Sequence, residues 1–242
     1  MRHGSPLLLL VPGLLCDRAS WAGQVAALGA AARCEVFDHG QRASIEDMAA
    51  HVLASAGSER FALAGHSMGG RVALEVVRQA PQRVRGLALL DTGYQARAGG
   101  EAGEQERRSR YALLEVARTQ GMRAMGERWA RGMVHPRRID TPLFEEILAM
   151  IERSTPQRFE AQVRALLERP DATPVLTAIR CPTLLVCGRE DAWSPLARHE
   201  EMQRAIAGSV LAVIEDSGHM SPMEQPQAVG AALAAWLARL GD

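Results

Sequence analysis

Short apolar runs alternate with stretches of helical periodicity along most of this 242-residue chain, and that alternation is what most limits the fold. A strand-length run followed by a helix, repeated several times, builds a parallel sheet with helices on both faces. The runs fall at 7–11, 34–37, 61–64, 84–90, 183–187 and 210–214, so an α/β architecture with a mostly parallel sheet of about six strands is expected. Helical patterns occupy 18–28, the segment opening at Ser44, 68–79, 196–206 and 226–240. Pro12-Gly13 ends the first run, and Pro81 stops the helix that precedes the fourth. Ser44 with Asp47 three residues on has the spacing of a capping box, with Asp in the place where Glu is stronger. Between residues 94 and 178 the rhythm changes. No strand pattern occurs there; helical segments near 104–119, 121–133, 142–152 and 156–168 are separated by Gly121, Pro136, Pro142 and Pro156. The chain therefore reads as a core of residues 1–93 and 179–242, interrupted by a helical insertion at 94–178.

Apolar residues make up 47% of the chain and charged ones 23%, ordinary values for a water-soluble globular domain. A chain of this size buries about three quarters of its extended surface, so it needs no staples. The formal net charge is zero and no basic stripe is interleaved with aromatics, which argues against nucleic acid as a partner. There is no lysine. Residues 94–178 hold fourteen arginines against twelve acids, the balance of solvated helix faces rather than of an anion trap. One or two of those arginines could still meet a substrate carboxylate, with none singled out. Cys16, Cys34, Cys181 and Cys187 have no metal-binding spacing and read as buried free thiols in a reducing compartment. Arg2 followed by the run at 7–11 resembles a short signal peptide. However, Leu15 is too large to precede a lipoprotein cysteine at Cys16, Pro12-Gly13 breaks the run, and cleavage would remove a strand. A cytoplasmic protein is expected. No run reaches the roughly 20 apolar residues of a membrane span.

The segment Gly65-His66-Ser67-Met68-Gly69-Gly70 joins a strand run to a helical pattern. A sharp strand-to-helix turn strains the serine backbone and lifts its hydroxyl above the sheet. The glycines are needed because neighbouring backbone crowds such a turn. The helix N-terminus aims free N–H groups at the site, so the Met68 N–H is placed to stabilise an oxyanion. His66 adjoins Ser67 but points elsewhere on such a turn, and is assigned to structure or pocket wall.

Of seven histidines, His219 is favoured as general base. It follows the last strand, Gly218 gives its loop freedom to fold back, and the order Ser67, Asp191, His219 is one that supports nucleophile, acid and base on a sheet of this kind. Asp191 lies just beyond the fifth run, where its carboxylate can accept the His219 ring N–H and hold the reactive tautomer. Asp91, at the end of the fourth run, is the rival acid, and Glu190 should point away. His3, His51, His135 and His199 are assigned to the surface or the insertion; His39 sits in a loop at the reactive edge. A second oxyanion donor is expected from the loop after the first strand, where Pro12 lacks an N–H and Leu14 is the choice. Leu15, His66, Trp129, Met133 and Met220 are the expected pocket residues. Met122, Met125, Phe144 and Leu148 are better explained as contacts between helices of the insertion.

Pro12-Gly13-Leu14, Gly65-His66-Ser67-Met68-Gly69-Gly70, Gly188-Arg189-Glu190-Asp191 and Ser217-Gly218-His219 together resemble a cap-bearing α/β-hydrolase over nearly the whole chain. The sequence departs from that pattern in having Pro-Gly rather than His-Gly ahead of the oxyanion donor. The loop at Asp38-His39-Gly40 is also shortened, and the two leading antiparallel strands are missing. The resemblance implies a serine hydrolase of small carboxylesterase, enol-lactonase or carbon–carbon hydrolase type, acting on a small-molecule ester or related acyl substrate. It implies no metal or organic cofactor, no membrane or nucleic-acid partner, and a monomer or homodimer. A lactonase, a thioesterase and a ligand-binding protein with a relict triad remain open alternatives.

Overall fold

The computed structural model describes residues 6–240; Arg2 and His3 lie outside them. Six strands, β1 (Leu7–Val11), β2 (Arg33–Val36), β3 (Phe61–His66), β4 (Val84–Leu90), β5 (Thr183–Gly188) and β6 (Val210–Ile214), form one sheet in the order β2-β1-β3-β4-β5-β6. Every pair is parallel. The helices are α1 (Ala22–Leu28), α2 (Ile45–Ser55), α3 (Met68–Gln79), α4 (Gly100–Gln120), α5 (Met122–Ala130), α6 (Pro142–Glu152), α7 (Pro156–Leu167), α8 (Thr173–Leu176), α9 (Leu196–Ala205), α10 (Ser221–Glu224) and α11 (Pro226–Leu237). Helices α4 to α8 lie between β4 and β5, and no strand interrupts them.

A strand buried on both faces needs no polar alternation, and β1 is Leu-Leu-Leu-Leu-Val, buried throughout. Its odd and even positions serve two different cores. Leu8 and Leu10 pack with Trp21, Leu28, Val229, Leu233 and Trp236, largely from α1 and α11. Leu7, Leu9 and Val11 belong to the opposite cluster, which holds the buried faces of α2 and α3 and continues into α4 to α7. The strand order reverses between β1 and β3. At such a reversal the loops leaving the carboxyl ends of neighbouring strands diverge and open a crevice, and here the loops are Pro12-Gly13-Leu14 and the turn at Ser67.

Local chemistry explains where the elements depart from the sequence reading. The Asp17 side chain accepts from the Ala19 N–H at 2.8 Å, and a 3-10 turn over Arg18–Trp21 precedes α1. Ser44 caps α2 by accepting the Asp47 N–H at 3.0 Å. Helices α8 and α10, four residues each, are too short to leave a periodic signal. Among the described residues the four thiols are free; only Cys187 is fully buried. No helix among them is long and apolar enough to cross a membrane.

Because β1 is flanked by β2 and β3, with Leu9 opposite Glu35 and Leu63, its side chains cannot relax into a cavity. Leu9→Ala is expected to lower unfolding free energy by about 2–5 kcal/mol. Val210→Ala, at an edge position left 40% exposed, is expected to change it by less than about 0.5 kcal/mol. Urea denaturation of both variants checks the contrast.

Candidate active site

Ser67 sits between β3 and α3 with φ 53° and ψ −116°, a left-handed backbone that costs a non-glycine residue energy. Its surroundings enforce that conformation. A Cβ on Gly65 would lie 2.3 Å from the Gly69 carbonyl oxygen, and one on Gly69 would lie 2.0 Å from the Val11 oxygen. The Ser67 N–H donates to the Leu90 oxygen at 2.9 Å. The Thr92 hydroxyl donates to the Ser67 carbonyl at 2.6 Å. Turn, β1 and β4 thus lock one another.

The hydroxyl so held meets His219. Ser67 Oγ lies 2.8 Å from His219 Nε2, and His219 Nδ1 lies 2.9 Å from Asp191 Oδ2. With a carboxylate accepting at Nδ1, the ring proton belongs there, and Nε2 is left to accept from the serine. Asp191 Oδ1 accepts the N–H groups of Trp193 and Ser194 at 2.8 and 2.9 Å. Burial alone would raise the Asp191 carboxyl, but the His219 charge and these hydrogen bonds outweigh it and hold the group below the ordinary carboxylate value.

The loop carrying His219 is fixed by a residue that sequence reasoning missed. The Glu224 carboxylate, on α10, accepts the N–H groups of Gly218 at 3.0 Å, Met220 at 3.1 Å and His135 at 2.7 Å. Burial pushes that carboxyl up, against the pull of the three donors. The His219 N–H itself donates to the Met133 oxygen at 2.6 Å. Gly218 is needed here for space, since a Cβ on it would lie 2.7 Å from the His135 nitrogen. The freedom expected of this glycine is thus replaced by a close approach between two backbones.

Asp91 does not touch His219. It is fully buried, with Oδ1 accepting the Gly188 N–H at 2.8 Å and Oδ2 accepting the Ser221 hydroxyl at 2.5 Å. Burial and then the Asp191 charge push its carboxyl up. Asp91, Cys187 and Asp191 bring possible metal-ligand atoms within 4.8 Å of one another, but the carboxylate oxygens already accept from protein donors, and the set is accounted for as a hydrogen-bonded cluster. Glu190 turns away, accepting the Ser217 N–H at 3.0 Å. The His66 Nε2–H donates to the His219 carbonyl at 2.7 Å, and burial lowers its ring to about 3. His39 bonds the Pro12 carbonyl at 2.9 Å. His199, expected at the surface, is fully buried: its Nε2 accepts the Thr92 N–H at 3.2 Å, and burial lowers it to about 4.

Ser67 and His219 open on a cavity of about 520 Å³, within the range of small-molecule sites. Of the residues assigned to the pocket, His66, Trp129 and Met133 line it, and so do Leu14 and Met68, the two residues assigned as backbone donors. Among the described residues, no group accepts from the Leu14 or Met68 N–H. Leu15 and Met220 do not line it. Leu15 takes φ 58°, donates its N–H to Gln162 Oε1 at 2.9 Å and turns into the core. Met220 is wholly buried, its backbone drawn toward Glu224. Met122, Met125, Phe144 and Leu148 are core, as anticipated. An aromatic wall runs from Phe159 through Trp129 and Trp193 to the His219 ring, with successive centroids 6.2, 5.4 and 5.1 Å apart. Trp193 and Phe159 were not expected in it.

A single strained serine at the carboxyl edge of a parallel sheet, bonded to a histidine that is bonded to an aspartate, defines a class. Residues 8–232 match the model of the alpha/beta hydrolase family, and the chain belongs to that family. A thermophilic esterase from Thermogutta terrifontis, solved with malate bound, is 32% identical and superposes with a TM-score of 0.87, covering 99% of this chain and 92% of that one. The enol-lactonase from Burkholderia xenovorans LB400 superposes at 0.85 with 23% identity, over 99% and 94% of the two chains. A pimeloyl-[acyl-carrier protein] methyl ester esterase of Nitrosomonas europaea is 25% identical over 92% of each chain. A Klebsiella pneumoniae protein named "Putative carbamate hydrolase RutD" is 27% identical over 89% of this chain and 85% of its own. The chain is accordingly an enzyme of the hydrolase class.

Two outcomes follow from this geometry. Glu224→Gln supplies one acceptor oxygen for three backbone donors, so it is expected to lose about 1–3 kcal/mol of stability and to speed amide exchange at Gly218 and Met220. Denaturation and hydrogen exchange read the two effects. For Asp191, the folded value lies below the ordinary 3.8, so the unfolded chain takes up its proton first. The stabilisation is therefore complete above that ordinary value and is lost as pH falls through the folded one. The stability difference between wild type and Asp191→Asn should be flat above about pH 5 and should shrink below about pH 4.

Proposed function

We propose that this protein hydrolyses small carboxylic esters through an acyl-enzyme on Ser67. The observation that carries this reading is the unbroken hydrogen-bonded row from Ser67 Oγ through the His219 ring to Asp191. Ser67 Oγ attacks the ester carbonyl while His219 Nε2 takes its proton. The carbonyl oxygen gains the negative charge and is met by the N–H groups of Met68 and Leu14, both on the cavity wall. The Asp191 carboxylate stabilises the imidazolium without taking its proton. Collapse of the tetrahedral adduct expels the alcohol, which leaves with the proton from His219. Water then attacks the acyl-serine by the same route, returning the free acid and Ser67. The segment 94–178 acts as a cap, contributing Trp129, Met133 and Phe159 to the pocket. The esterases among the relatives support this reading.

A carbamate or an enol-lactone presents the same electrophilic carbonyl, and the names of two similar proteins point to those substrates. The test is turnover of p-nitrophenyl acetate and butyrate, with a carbamate and a lactone alongside. Wild type should cleave the esters and react with a fluorophosphonate at Ser67. Ser67→Ala should lose both, with kcat down at least about a thousandfold, and Asp191→Asn should lose about 10³–10⁴ in kcat. Equal turnover by wild type and Ser67→Ala would rule the reading out.

A further inference from the structure

Four arginines line the cavity that holds Ser67. Arg71 stands on α3 and Arg198 on α9; Arg110 stands on α4, and Arg169 just beyond α7. One carboxylate, Glu106, faces them, and it is already engaged. Its two oxygens bind Arg169 Nη1 and Nη2 at 2.7 and 2.9 Å, and Oε1 also lies 2.9 Å from Arg110 Nη2. Among the described residues, Arg71 and Arg198 form no ion pair with any carboxylate. Arg71 Nη1 donates to the Gln95 carbonyl at 2.7 Å, and Arg198 Nη1 donates to the Trp193 carbonyl at 3.1 Å. Arg169 Nε donates to that same Gln95 oxygen at 3.3 Å, so the guanidinium groups of core and insertion converge on one point.

Gly93 makes the gathering of charge feasible. A Cβ there would lie 2.7 Å from Arg71 Nη2 and 3.4 Å from Arg198 Nη1; both guanidinium groups close on the space that glycine leaves open. Burial, and next the charges of Arg169 and Arg198, pull the Arg71 guanidinium down to about 9, so it still carries its charge at neutral pH. Like charges held together in a partly enclosed site repel unless an anion joins them. A guanidinium fork matches a carboxylate in shape and in donor count. Arg71 lies four residues beyond Ser67, which caps α3, a rise of about 6 Å, so an anion at Arg71 and a carbonyl at Ser67 fit within one small molecule.

We propose that the cavity selects esters bearing a second, carboxylate group, which binds between Arg71 and Arg198 while Ser67 attacks the ester carbonyl. This assignment rests on the ester-hydrolase reading above and narrows its substrate class. It goes beyond the expectation that the arginines of residues 94–178 cover solvated helix faces, with one or two free to meet a substrate carboxylate. That expectation weighed residues 94–178 alone, whereas two of the four cavity arginines come from outside that window.

The experiment compares kcat/KM for charged and neutral esters of matched size. Monomethyl glutarate against methyl valerate places the carboxylate on the acyl side; 4-carboxyphenyl acetate against 4-carbamoylphenyl acetate places it on the alcohol side. Wild type should favour the charged member of at least one pair by at least about tenfold. Arg71→Gln and Arg198→Gln should bring that ratio toward one, with Arg198→Lys retaining part of it. Ratios of one or less in both pairs, with hydrolysis still dependent on Ser67, would overturn the carboxylate site and leave the esterase reading standing. Should no ester turn over and no fluorophosphonate label Ser67, the esterase reading fails instead. Calorimetric binding of glutarate, lost in the two glutamine variants, then decides the anion site by itself. If a variant does not fold, the wild-type ratios remain decisive.

Discussion

Steric crowding at the turn between β3 and α3 is the constraint on which the rest of the site depends. Ser67 holds a left-handed backbone because the Gly65, Gly69 and Val11 backbones meet there at distances no Cβ could share. That contact also draws the loop after β1 against the start of α3, so Leu14 and Met68, whose N–H groups have no acceptor among the described residues, line the same cavity. Strain at the serine, the position of the neighbouring loop and the opening of the helix are thus one packing event. The energy of that strain is met by two hydrophobic cores that clamp the sheet from both faces.

The elements visible in the sequence were those whose signal is local and repeated. The six strands of the doubly covered sheet appear as apolar runs, and the four long helices after β4 appear as periodic stretches cut by glycine and proline. The Ser67, Asp191 and His219 positions were legible because each follows a strand by a few residues, and a parallel sheet brings such loops to one edge. What the sequence hid depends on side-chain direction. Leu14 and Leu15 are adjacent, chemically alike and both buried, yet only Leu14 lines the cavity, while Leu15 takes a positive φ and does not. Met220 follows His219 but is pulled inward through its backbone bond to Glu224. His199 reads as a surface residue on a polar helix, and only packing shows that it supports Thr92.

Of two residues missed in the sequence, one was avoidable. Arg71 lies one helical turn from Ser67, and residues at that spacing share a face, so its place beside the nucleophile was in principle readable. Glu224 is spaced five residues from His219, which gives no periodic signal. Nothing short of the fold of α10 shows its carboxylate turning back onto the histidine loop.

The backbone bond from the His219 N–H to the Met133 oxygen, and the bond from the His135 N–H to the Glu224 carboxylate, join the histidine loop to the chain between α5 and α6. A displacement that lifts residues 133–135 off the sheet breaks the tether of His219 as well. The placement of the imidazole is therefore set from two sides, by its own loop and by the segment that follows α5.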